Sequence, residues 1–395
     1  MKLKTLFLGT AAAFAVSGGA QAADLALAVE PIDYVKVCDA FGTGYYYIPG
    51  TDTCLKVGGY IQLDMWFYSE SNYVGDYFNV AQQITGSTTD PSNPLSDTQG
   101  VVAGDLYALD NYSQAWEFKT EAGVNFTSKS MGDLGPIVTN FNFVTVSNNF
   151  DGQNGTEKEV RFDGGYGAIG PMMFGWTAST FDVGGGYTYD GAVRSDKKVD
   201  QFRLSYLMGT WGIMLGLEDP RDRSAGATNA TGDYPDIVLA LTGGLGGFDM
   251  KLAGQVSDQA DGTAWGVALA VEGQVGGAFK LKAAGAYSDG AKSLTGGSNC
   301  NQTYSGGKWR SCSDGEWWSA FISGSFALSG NMDVAATASW QDTADSRKKM
   351  GTFTGALGVY YHPTGNSEIG AELLYTDPEA GDDILGGHLR WKTSF

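Results

Sequence analysis

The chain ends on GGHLRWKTSF (residues 386–395), a stretch with a period of two. Leu389, Trp391 and Phe395 fall on one face, and His388, Arg390, Lys392 and Ser394 on the other. Side chains alternate across a strand, so this segment reads as a strand with one apolar and one wet face. The pattern recurs upstream. Residues 55–67 set Leu55, Val57, Ile61, Leu63, Met65 and Phe67 against Lys56, Gln62 and Asp64. Residues 115–128 set Trp116, Phe118, Val124 and Phe126 against Glu117, Lys119, Glu121 and Asn125. In 159–168, Val160, Phe162 and Tyr166 oppose Glu159, Arg161 and Asp163. In 247–257, Phe248, Met250, Leu252 and Val256 oppose Asp249, Lys251 and Gln255, and 279–287 oppose Phe279 and Leu281 to Lys280 and Lys282. Weaker versions cover 136–147, 171–180, 201–208, 211–218, 236–242, 265–272, 317–328, 332–341, 352–362 and 368–376. With the last strand there are about sixteen such segments, close to the ~9–11 residues a tilted membrane strand needs.

The connections alternate in length. Long stretches at 68–114, 148–158, 181–200, 219–235 and 288–315 are separated by short turns such as GTWG, GGLGG, LSGN and PTGN. Gly and Asn supply the left-handed backbone that tight hairpins require. One end of the sheet is therefore elaborated and the other trimmed, as in outer-membrane barrels with long extracellular loops and short periplasmic turns. A soluble β-sandwich or propeller also alternates along its strands, but its loops need not alternate in length. The expected fold is all-β: a transmembrane antiparallel β-barrel of about sixteen strands.

The N-terminus carries Lys2 and Lys4, an apolar run from Leu6 to Val16, and Ala20-Gln21-Ala22. That is the pattern of a secretory signal peptide over 1–22, and the run is too short for a membrane anchor. A segment over 23–54 then leads into the barrel at 55–395. Without the signal peptide, 23 basic residues face 44 acidic ones, a formal charge of −21. Such a field repels polyanions, so nucleic acid is not an expected partner. Four cysteines remain. Three connectivities are possible, and the wide gap between the local pairs favours Cys38–Cys54 and Cys300–Cys312. Zinc spacing is absent, the only histidines are His362 and His388, and neither metal nor cofactor is expected.

Two further stretches bear on family. YVKVCDAFGTGYYYIPGTDTCLKVGGYIQLD (34–64) resembles the N-terminal signature of the alphaproteobacterial, rhizobial-type porins, and DYPDIVLAL (233–241) and the terminal GGHLRWKTSF also resemble members of that family. The resemblance implies a sixteen-stranded homotrimer in the outer membrane, in contact with lipid and lipopolysaccharide. It implies a passive channel for small hydrophilic solutes, with the third long loop folded into the lumen. It also implies that Phe395 is the insertion signal read by the barrel-assembly machinery. By strand count the inward loop is 181–200.

A water-filled lumen lets one face of each strand keep its charges, whereas Arg or Lys facing lipid at mid-depth costs roughly 2–4 kcal/mol. Lumen candidates are Glu117, Lys119, Glu121, Asp163, Asp249, Lys251, Lys280, Lys282 and Lys392, and the loop adds Arg194, Lys197 and Lys198. At the constriction, Asp182 and Asp190 are the expected acidic side, facing a basic wall of Arg161, Arg203 and Arg390. Such opposed charges create a transverse field that orients hydrated dipoles, and charge rings set ion preference. Tyr187 and Tyr189 in the loop offer a stacking track or simple packing. Two rival readings are a plugged surface adhesion barrel and a sugar-specific channel. A hydrolase would have to use His362 or His388, and neither is followed by a recognisable nucleophile motif, so no enzyme is expected.

Overall fold

The computed structural model describes residues 36–68, 116–148, 157–223, 234–259, 262–296, 302–305, 308–311, 315–343, 351–379 and 383–395. Sixteen antiparallel strands form a closed ring: β1 Cys54–Tyr68, β2 Trp116–Gly132, β3 Gly135–Asn148, β4 Glu157–Ile169, β5 Met172–Ala178, β6 Lys198–Met208, β7 Trp211–Glu218 and β8 Asp236–Leu245. They continue as β9 Phe248–Gln259, β10 Gly262–Val275, β11 Phe279–Asp289, β12 Glu316–Ser329, β13 Met332–Thr343, β14 Thr352–Thr364, β15 Ser367–Pro378 and β16 Ile384–Ser394. Each segment with a period of two becomes one strand, with ends moved by a few residues. Two small elements were not evident from periodicity: a two-residue strand at Tyr46–Tyr47, and a hairpin of Gln302–Ser305 with Lys308–Ser311 between β11 and β12.

Neighbours in sequence are neighbours in the ring, and β16 closes it by pairing with β1 from Gly386↔Tyr68 to Ser394↔Tyr60. The two faces differ as the alternation requires. Along β8, Ile237, Leu239 and Leu241 are exposed on the outside, while Val238 and Ala240 are fully buried on the inside. On the outer face a row of aromatics runs across β2 to β5. Phe126, Phe141, Phe143, Phe162 and Trp176 follow one another at ring-centroid distances of 5.1, 5.9, 5.9 and 5.9 Å.

A bulge in β4 corrects one face assignment. The register slips so that Asn142 pairs with Gly164 and Phe143 with Phe162, leaving Asp163 as the extra residue. Past the slip the parity inverts. Tyr166, which strict alternation puts beside Phe162, instead lies opposite Asn140 on the inner face. Asp163 pairs with Lys198 at 2.7 Å, and the Lys198 ammonium lies 5.6 Å from the ring of outward-facing Trp176. Asp163 also lies within the field of lumen-facing Tyr60, so it sits at the bulge between the two faces.

At the seam, β1 is longer than its partner, and its exposed edge is covered in two ways. Phe395 exchanges backbone hydrogen bonds with Gly59 (3.0 and 3.3 Å), and Tyr46 and Tyr47 pair with Leu55 and Cys54. The Cys38–Cys54 disulfide holds this extra strand against the wall, with Tyr45 packed on the bridge. Cys300 and Cys312, like residues 1–35, lie outside the described residues.

Gly59 makes room for the terminal ring. A Cβ there would lie 2.6 Å from Phe395 Cζ and 2.7 Å from the Gly123 carbonyl oxygen. Replacing Gly59 with valine is expected to lower the stability of the folded barrel by about 1–3 kcal/mol, the usual cost of overpacking. The check is the temperature at which the heat-modifiable band unfolds on a gel; an unchanged midpoint would show that the ring has another seat.

Candidate functional site: a loop fastened across the lumen

The segment 179–197, between β5 and β6, folds into the barrel and not over its rim. The wall beneath it explains why. A patch of inward positions across β8 to β11 is small, with Ala240, Ala253, Ala268, Ala270 and Ala284 all buried. Into the space they leave pack Phe181 and Val183 of the loop, and Leu294 from the segment after β11. A wall lined with large side chains would have no recess to fill, since interiors pack near crystal density.

The root of the loop is tied by a buried polar group. Glu218, at the end of β7, accepts hydrogen bonds from the Ser179 hydroxyl (2.7 Å) and the Thr180 backbone N–H (2.6 Å). Arg223 pairs with Glu218 at 3.3 Å and donates to the Ser195 hydroxyl at 2.9 Å and to that of Ser179. Asp182 accepts from the Ser195 hydroxyl (2.6 Å) and the Lys197 N–H (2.9 Å), with the Arg223 guanidinium 3.9 Å away. Burial pushes the Asp182 carboxyl up, and Arg223 and these hydrogen bonds oppose that shift. Lys251, from β9, donates to the Asp182 carbonyl.

The tip is tied to the opposite side of the ring, mainly by glutamates. Tyr187 donates its N–H to Ser323 (2.8 Å) and its hydroxyl to Glu272 (3.1 Å). Tyr189 donates its N–H to Glu372 (2.6 Å) and its hydroxyl to Glu368 (2.5 Å). The Ser339 hydroxyl donates to the Gly191 carbonyl at 2.5 Å. The approach is close: a Cβ on Gly186 would lie 2.7 Å from the Ser323 hydroxyl.

From the tip a charged chain crosses the closure seam. Asp190 lies 2.7 Å from His388 Nδ1, and Asp64 lies 2.9 Å from His388 Nε2. With both ring nitrogens facing carboxylates, only the imidazolium donates from both. The ring is fully buried and stacks on Trp66 at 4.5 Å. Asp64 also accepts from Arg390 Nε (2.5 Å) and the Gln62 amide (2.7 Å). The Arg390 guanidinium in turn lies 4.0 Å from the Tyr189 ring centroid, a cation–π contact that returns to the loop. Asp190, Glu372 and His388 bring three possible metal-donor atoms within 4.8 Å of one another, but all three side chains are spent on these bonds.

The expected constriction residues thus divide. Asp190 and Arg390 meet in one network, joined through His388 and Asp64. Asp182 is a buried strut at the loop root, and half-buried Arg203 lies within the field of Glu218. Arg161 is on the inner face of β4, opposite Val144 and close enough to Glu121 to interact. Glu121 pairs with Lys119 at 2.9 Å and accepts from Tyr60, whose ring lies 4.4 Å from the Lys392 ammonium. Glu117 is buried beside Trp66 on the neighbouring strand. Lys282 pairs with Glu272 at 3.3 Å, Asp249 and Lys251 line a recess beneath the loop, and Lys280 is exposed near the short-turn end. Arg194 pairs with Asp196 at 2.8 Å. Sequence reading passed over Glu218, Arg223, Glu272, Glu368 and Glu372. The glutamates carried a parity signal, because Glu368 and Glu372 alternate with Ile369, Ala371 and Leu373. Arg223 carried none.

The sequence profile of the porin subfamily matches residues 24–388. The chain is 27% identical to porin Omp2b of Brucella neotomae over 422 residues, covering all of both chains. It is also 27% identical to porin Omp2a of Brucella suis biovar 1 (strain 1330) over 430 residues, again covering both. In fold it is similar to the outer membrane channel DcaP of Acinetobacter baumannii, with a TM-score of 0.64 at 17% identity over 88% of this chain and 99% of that one. An anion-selective porin from Comamonas acidovorans matches with a TM-score of 0.50 at 11% identity, over 87% of this chain and all of that one. A closed sixteen-strand barrel with charged inner and apolar outer faces, matched by that profile over almost its whole length, belongs to the porin subfamily of the bacterial outer membrane.

Proposed function

We propose that the chain is a general-diffusion channel whose narrowest stretch lies between loop 179–197 and the inner faces of β1 to β4. The observation that carries this reading is the fastening of the loop at both ends inside the barrel. A loop held at root and tip inside the barrel narrows the lumen at a fixed place. The plugged-barrel and sugar-specific readings stand as alternatives. Across the passage from the loop stand Lys119, Glu121 and Arg161, with Lys392 beside Tyr60, whereas Arg390 lies against the loop tip, 4.0 Å from the Tyr189 ring centroid. Asp190, Glu368 and Glu372 lie on the loop side, so the field across the passage follows from the two linings together. Asp182 and Arg203 serve the loop root in this reading, not the aperture.

Most basic groups of the wall have an acid at hand: Lys119 with Glu121 at 2.9 Å, Lys282 with Glu272 at 3.3 Å and Arg390 with Asp64 at 2.5 Å. Pairing leaves the wall close to neutral, and the acidity of the chain as a whole then sets a weak preference for cations. The functional unit in this proposal is a homotrimer. The outer face of β2 to β5 supports it, since a continuous row of packed aromatic rings offers a flat surface suited to another protein. Phe395 is proposed as the signal read by the barrel-assembly machinery, residues 1–22 as the export signal, and lipopolysaccharide as the outer-leaflet neighbour.

Purified protein in planar bilayers is expected to give ohmic conductance steps in threes; absence of steps would favour a plugged barrel, and saturable block by one sugar a specific channel. Replacing Tyr189 with alanine removes its hydroxyl bond to Glu368 and its ring contact with Arg390, and is expected to raise single-channel conductance. A salt gradient should give a reversal potential of weak cation preference that strengthens when Arg161 becomes serine. Anion preference in the wild type would overturn the charge argument. Replacing Phe141 and Phe162 with alanine should lower the temperature at which the oligomer dissociates on a gel, while the barrel itself stays folded.

A further inference from the structure

We propose that Arg223 is the positioning residue that sets how far loop 179–197 reaches across the lumen. The inference rests on the reading of that loop as the constriction. Arg223 does not belong to the loop. It follows β7, at the end of a single 3-10 turn, Pro220–Asp222. The turn is fixed to the wall independently of the loop. Its N-cap Asp219 accepts from the Arg221 N–H (2.9 Å), the Asp219 N–H donates to the Asp200 carbonyl (2.8 Å), and Asp222 accepts from the Asp200 N–H (2.6 Å). The start of β6 therefore dictates where the guanidinium goes.

From that position Arg223 reaches inward to a site where it is 3% exposed. One guanidinium nitrogen donates to Ser179, on the leg that leaves β5, and the other to Ser195, on the leg that returns to β6. The same guanidinium lies 5.7 Å from the ring of Phe181, the first apolar residue of the descending leg. A planar fork is the side chain suited to bridging two acceptors at a fixed separation. The acceptors are the two legs of one loop, so the fork fixes their spacing and with it the angle at which the loop enters the lumen. Glu218 completes the arrangement by holding Ser179, Thr180 and Arg223 at once, which keeps the buried cation compensated.

The test is single-channel conductance in planar bilayers, with folding checked by heat-modifiable mobility. Arg223→Met is expected to raise conductance by about 1.5-fold or more and to add open-channel noise, since the narrowest stretch governs passage. Arg223→Lys, a point charge without the fork, should recover only part of the wild-type value. Loss of Arg223 alone leaves Glu218 buried and unbalanced, and that variant can fail to fold. The double variant Glu218→Gln/Arg223→Met and the single variant Ser195→Ala, which removes one leg's tie and leaves the ion pair, carry the test in that case. Wild-type conductance and noise in both, while Tyr189→Ala raises conductance, would overturn the role of Arg223 and leave the constriction in place. Wild-type conductance in Tyr189→Ala as well would remove the constriction and this inference together.

Discussion

Everything in this structure depends on the pairing of backbone groups across the seam between β1 and β16. In hydrocarbon an unpaired N–H or carbonyl has no water to turn to, so a sheet that spans a membrane must close on itself. The two strands that meet are the first and last of the barrel, separated by almost the whole chain. The seam is reinforced beyond its ladder. Phe395 bonds to Gly59 where β16 ends, and the disulfide-held Tyr46–Tyr47 strand covers the edge of β1 beyond it. Inside, His388 and Arg390 of the last strand both bond to Asp64 of the first.

The two carboxylates at the centre of the networks follow one rule: a carboxylate taken out of water gathers several donors. Asp64 accepts from a guanidinium, an imidazole and an amide, and Glu218 from a hydroxyl, a backbone N–H and a guanidinium. Buried charge is costly unless compensated in this way, and a network with every member satisfied is stiff. Stiffness is what a constriction needs. Apolar packing of Phe181 and Val183 on a wall of alanines supplies the shape match, and the carboxylates supply the direction.

The barrel was legible in the sequence because a strand's period of two leaves its mark residue by residue, whatever lies far away in the chain. GGHLRWKTSF and LKVGGYIQLDMWF could be assigned to faces, and their mutual pairing followed from closure. The bulge at Asp163 was not legible, since one extra residue inverts parity with no local cue beyond the glycines that follow it. The loop anchors were half-legible. Alanines at alternate positions of β10 and β11 mark a recess, but nothing in the sequence tells which loop enters it. Arg223 lies in a connection without periodicity, and its partners Ser179 and Ser195 are distant in sequence, so only three-dimensional proximity reveals it. Asp182 and Asp190 look alike in sequence, and burial alone separates strut from tip.

The tip of the loop docks on a site that two chain ends must build together. Asp190 meets His388, which is held in turn by Asp64, and those two residues come from the last and first strands of the barrel. Until β16 has joined β1, the far dock of the loop is incomplete. A barrel open along its seam would keep the loop's ties to Glu272, Glu368 and Glu372 but would leave His388, the partner of Asp190, without its hold on the first strand. The residues that finish the wall thus also help to hold the tip of the loop.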